Sequence, residues 1–107
     1  MYSRTRRQQY AILDDNALKI HRRVATKIIE QPTLLTPVIE RLEERYQSGI
    51  MRYGSYIMWQ VILEAIDDPQ RFEALLLSDD ERTVKLRRQT IFTGVLTEEE
   101  REEALLS

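Results

Sequence analysis

The sequence predicts an all-α fold, a compact bundle of five or six short helices around a central, almost wholly apolar helix. Apolar residues recur at helical spacing along most of the chain. Capping residues and prolines punctuate the segments, and no stretch alternates with the period of two that a half-buried strand requires. Residues 1–10 read as a loose basic arm, and 11–107 as a single helical domain.

The first helix is expected over 14–30. Asp14, Asp15 and Asn16 are all good N-cap types. Leu13, Ala17, Leu18, Ile20, Val24, Ala25, Ile28 and Ile29 then fall on one side at about 100° per residue, and Lys19, Arg22, Arg23 and Lys27 on the other. Pro32 ends it. A second helix is expected to start at Thr36-Pro37, where Thr36 can cap and proline gives up no needed N–H. Its apolar stripe is Val38, Ile39, Leu42 and Tyr46, and Gly49 is its stop.

Segment 55–67 is apolar nearly all round. Only Gln60 and Glu64 are strongly polar, and they lie four apart on one strip. Such a helix must be covered almost completely, as the domain centre or as half of an interface. Asp68-Pro69 opens a short helix containing Phe72, Leu75 and Leu76. Ser78-Asp79-Asp80-Glu81 reads as a capping box for a helix over 79–90, and Thr97-Glu98-Glu99-Glu100 as another for a helix over 98–106. Between them Ile91 to Leu96 forms an apolar connector interrupted by Gly94.

Composition excludes several chemistries. The chain has 107 residues, enough for one domain. Without cysteine it has no disulfide, thiolate metal site or cysteine nucleophile. One histidine rules out a multi-histidine metal site, and three glycines leave no glycine-rich phosphate loop. No apolar run reaches the ~18 residues of a membrane span. No secretory h-region follows the basic start. No cofactor and no metal site are expected, and the cytosol is the default compartment.

Charge is uneven. Residues 1–30 carry +4 and the remainder −6, which together give the net charge of −2. Arg4, Arg6 and Arg7 lie between Tyr2 and Tyr10, and Lys19, Arg22, Arg23 and Lys27 extend the basic front. Arginines among aromatics suit phosphates and bases, so this front is the candidate nucleic-acid surface. His21 sits within the apolar arc of the first helix with no carboxylate one turn away, as a core histidine would. Helical ribonucleases of the HEPN family place an arginine a few residues before a histidine; here Asp14, Asp15, Asn16 and Ala17 precede His21, so that chemistry does not carry over. Glu98 to Glu103 suit a helix N-terminus rather than a cation site. Tyr53, Tyr56, Met58 and Trp59, at one end of the apolar helix, are the candidate protein interface.

The segment Leu86-Arg87-Arg88-Gln89-Thr90-Ile91-Phe92-Thr93-Gly94-Val95-Leu96-Thr97-Glu98-Glu99-Glu100-Arg101 resembles a motif of small all-helical bacterial proteins, some encoded beside toxin genes. The resemblance covers 86–101. Physically the motif fixes how two helices join: Phe92, Val95 and Leu96 tuck the connector in, and Gly94 relieves the backbone. It implies a bacterial, toxin–antitoxin-associated neutralising partner. The sequence therefore reads as a non-catalytic regulatory or protein-binding module, through a protein partner or self-association. The alternative is a nucleic-acid-binding accessory protein.

Overall fold

A long helix, α1 (Arg6–Glu30), forms the spine against which the C-terminal half of the chain packs. The computed structural model describes residues 6–107, with side chains from Gln9 onward. After α1 come a 3-10 turn (Pro32–Leu34), α2 (Leu35–Gln47), α3 (Tyr53–Glu64) and a second 3-10 turn (Ala65–Asp67). The chain closes with α4 (Pro69–Leu76), α5 (Glu81–Arg88) and α6 (Glu98–Leu105). The fold is all-α. α1 lies against α4, α5 and α6, while α3 packs on α2 and α4.

Helix α1 starts at Arg6, well before the expected caps at Asp14, Asp15 and Asn16. No proline or glycine interrupts the segment, and its Arg and Gln residues are good helix formers. Asp14 is engaged elsewhere. Its carboxylate takes two hydrogen bonds from Arg88 of α5, at 2.8 Å from Nε and 2.7 Å from Nη2. That guanidinium also lies over the Tyr10 ring, 4.7 Å from its centroid. Residues 6–10 of the expected loose arm thus belong to a helix, and 1–5 lie outside the described residues. Leu13, placed on the apolar side, is 59% exposed.

Pro32 opens a 3-10 turn that runs directly into α2, so Thr36 makes no cap. Val38 and Leu42 are buried as expected, but Ile39 is exposed and Leu35 takes its place inside. Gly49 ends α2 in the left-handed conformation, φ +83°. Its N–H donates to the Tyr46 carbonyl and that of Ile50 to the Arg45 carbonyl, the paired bonds of a Schellman stop.

Asp68 caps α4 through the Arg71 N–H. Asp80, not Ser78, caps α5: it accepts from the Thr83 N–H at 3.0 Å, and Ser78 Oγ donates to the Asp80 carboxylate. Those bonds hold the Asp80 carboxyl down to about 2, the Ser78 hydroxyl contributing most. The Thr97–Glu100 capping box forms in full at α6.

Trp59 is the hub of the core. It is fully buried and meets Phe92 edge-on, ring centroids 5.6 Å apart. Phe92 in turn meets the His21 ring edge-on at 5.8 Å. The connector between α5 and α6 therefore plugs the space between α1 and α3, with Ile91, Phe92 and Val95 all buried. Gly94, at φ +87°, turns it back toward α6. Trp59→Ala empties this hub and should cost about 3–5 kcal/mol in urea unfolding. Native Trp59 emission should be blue-shifted and move red only with global unfolding.

Candidate protein-binding groove

The four residues expected at a protein interface separate into three settings. Trp59 is core, a correction that follows from helical geometry: it shares the buried face of α3 with Ile62 and Leu63. Tyr56 is half-buried and tied to α2. Its ring stacks on Tyr46 at 4.0 Å with planes 7° apart, and its hydroxyl donates to Glu43. That bond pushes the Tyr56 phenol up to about 12. Tyr53 and Met58 line a groove.

The groove lies between α3 and α5 and has a volume of about 540 Å³. Tyr53, Ile57 and Met58 form one wall, and Leu86, Arg82 and Lys85 the other. No carboxylate lines it. Lys85 pairs with Glu81 at 3.2 Å, but both side chains are largely exposed, so the pair contributes little. The Gln60–Glu64 strip is not the main wet face of α3. Gln60 is half-buried, whereas Tyr53, Ile57 and Val61 are exposed at successive four-residue steps. Ile50, 78% exposed, lies in the turn before α3. The i, i+4, i+8 spacing of Tyr53, Ile57 and Val61 is the signal in the sequence that marks this stripe.

Two residues of the basic front, Arg23 and Lys27, are committed to the fold. Lys27 Nζ donates to Glu100 Oε1 at 2.6 Å and to the Val95 carbonyl at 2.8 Å. Arg23 Nη2 reaches the other Glu100 oxygen at 2.9 Å. These contacts fasten α6 to α1 and hold the Glu100 carboxyl down to about 2, the Lys27 bond contributing most. Lys19 pairs with Asp15 at 3.4 Å, and Arg22 is exposed. Arg6 and Arg7 belong to α1 by their backbone; their side chains, and Arg4 altogether, lie outside the described residues.

The chain matches no known protein family, no curated protein and no solved structure. Among the described residues no three His, Cys, Asp or Glu side chains gather as a metal-binding group, and no helix is long and apolar enough to cross a membrane.

His21 is buried and both ring nitrogens are partnered. Nδ1 lies 2.7 Å from the Ala17 carbonyl, which only accepts, so Nδ1 carries the proton. Nε2 then accepts from the Thr90 hydroxyl at 2.8 Å, and Thr90 Oγ1 accepts from the Phe92 N–H at 3.1 Å. Every lone pair and proton of the imidazole is used within the core, which is the arrangement of a brace.

Burial drives the His21 pKa down from 6.5 to about 4. The unfolded chain therefore takes the proton first as pH falls. Stability from this residue is complete above pH 6.5 and declines toward pH 4, by about 3 kcal/mol in all. Urea unfolding across this window should show that loss, distinct from the Glu100 loss between pH 4.5 and about 2. His21→Gln should be less stable at pH 7.5 and should flatten the slope between pH 6.5 and 4. An unchanged slope in that variant contradicts the assignment.

Proposed function

We propose that the protein acts by binding another protein rather than by catalysis, through the groove between α3 and α5. The observation that carries this reading is the groove itself: exposed Tyr53 and Ile57 beside Met58, with Arg82 and Lys85 opposite. Aromatic and methionine side chains in a concave apolar site are the usual anchors of protein contacts. The occupant we assign is an amphipathic helix. Its apolar ridge lies in the groove and its acidic flank faces Arg82 and Lys85. Charge complementarity argues for that sign, since the lining has two cations and no carboxylate. The resemblance of 86–101 to proteins encoded beside toxin genes makes a toxin, neutralised by this contact, the first partner to test.

The basic front gives weaker support to the nucleic-acid reading, because Glu100 occupies Arg23 and Lys27.

A photo-crosslinking residue at Ile57, with one at exposed Glu73 of α4 as control, tests the proposal in cells that co-express the neighbouring gene product. Crosslinks from position 57 alone, to an acidic helical segment of that product, are expected. Tyr53→Glu should weaken the purified complex about tenfold, ~1.4 kcal/mol. Its melt should not change, because an acid in the first turn suits the α3 dipole. Crosslinks to a second copy, to nucleic acid, or equally from both positions overturn the reading.

A further inference from the structure

A second pocket, about 400 Å³, is formed by α1, α6 and the connector that joins α5 to α6. Ile20 and Val24 of α1 and Phe92 and Leu96 of the connector supply its apolar wall, and the exposed residues Glu98 and Arg101 of α6 also line it. We infer that this pocket binds a free aliphatic α-amino acid, its side chain against the apolar wall, its carboxylate on Arg101 and its ammonium on Glu98. The inference is independent of the α3–α5 groove.

Glu98 and Arg101 are three residues apart on α6, so their side chains leave the helix as neighbours, about 5–6 Å apart at Cβ. Both are open to solvent. Among the described residues neither forms an ion pair, with the other or with any neighbour. Glu100, between them in sequence, is taken by Lys27 and Arg23. Arg87 also lines the pocket, but it is only 4% exposed, and its Nη1 donates to the Leu76 and Ser78 carbonyls, both at 2.8 Å. Among the described residues that leaves one cation and one carboxylate of the lining within reach of a ligand. Opposite charges one turn apart match a molecule whose own opposite charges are as close, and an α-amino acid carries both on one carbon. Each exposed pair contributes little alone. Two charge-assisted contacts side by side add to the burial of the ligand's apolar body.

The rest of the pocket narrows the class. The neutral His21 ring has both nitrogens engaged and offers only carbon. The Thr90 hydroxyl donates to His21 and accepts from the Phe92 N–H. A polar side chain would find no partner at either residue, whereas an aliphatic one needs none. A peptide terminus brings one charge and matches one of the two α6 residues; a free amino acid matches both. The volume lies within the range of small-molecule sites.

L-Leucine is the probe, at about pH 6, where its amine and that of leucinamide are both protonated. Leucinamide lacks the carboxylate, isocaproate lacks the ammonium and glycine lacks the apolar body. In nitrogen-15 spectra of the full chain, leucine should shift the Leu96, Glu98 and Arg101 amides saturably. Leucinamide and isocaproate should each bind about tenfold more weakly, because each forfeits one charged contact. Glycine should leave the three signals unmoved. Arg101→Gln should erase the preference for leucine over leucinamide, and Glu98→Gln the preference over isocaproate. Both positions are exposed, so both variants should melt as the native chain does. No saturable shift, equal responses to leucine and either analogue, a glycine response matching that of leucine, or preferences that survive the two substitutions overturns the inference. The wild-type comparison of leucine with its analogues decides the matter even if a variant unfolds.

Discussion

The structure depends on one half-buried segment that is neither helix nor strand. Between α5 and α6 the connector sends Ile91, Phe92 and Val95 into the core, and its backbone carbonyls cannot bond to a helical ladder. A buried carbonyl left unpaired costs about 1–3 kcal/mol. Cationic side chains meet that demand. Arg41 of α2 donates to the Ile91 and Thr93 carbonyls, Arg45 one turn later to Thr90, and Lys27 of α1 to Val95. Phe92 fills the gap between His21 and Trp59. Removing the connector would strip α1, α3 and α6 of their shared contact.

This arrangement makes use of a compositional bias. The chain holds thirteen arginines and three lysines. A guanidinium directs several N–H groups in fixed directions, so one Arg41 bridges two carbonyls and one Arg87 two more. Four cations, Lys27, Arg41, Arg45 and Arg87, serve as internal fastening of loops. The formal +4 of the first thirty residues accordingly overstates the positive charge presented outward by the described part of α1.

The helical class, the core positions Val24, Ile28, Leu42 and Phe72, the Asp68 and Thr97 caps and the Gly49 stop were legible because each follows from local spacing or local hydrogen bonding. What was not legible came from long-range pairing. Asp14 looks like a cap until Arg88, 74 residues away, takes its carboxylate. Ile39 and Leu13 fit an apolar stripe yet face outward, since local spacing does not say where a neighbouring helix will lie. Trp59 and Tyr53 lie on one apolar helix, and periodicity alone does not say which side meets α4. Arg87 sits among ordinary surface arginines in the sequence; only the turn beyond Leu76 shows why its side chain is buried.

One wall of the groove depends on the same connector. Its α3 wall is fixed by Trp59 against Phe92, and its α5 wall by Leu86 in the core and Arg88 on Asp14. The two walls have no sequence proximity: the α3 wall rests on the connector and the α5 wall on α1. The segment 86–101 is mostly framework, and only Leu86 and Gln89 of it line the groove. Tyr53, Ile57 and Val61 lie outside it, on a helix whose outer face is free of packing demands. A scaffold of this kind separates what must be kept to fold from what is free to vary for recognition. It leaves Tyr53, Ile57 and Val61 exposed on α3, and it sets the contact that holds α3 in position on the connector beneath it.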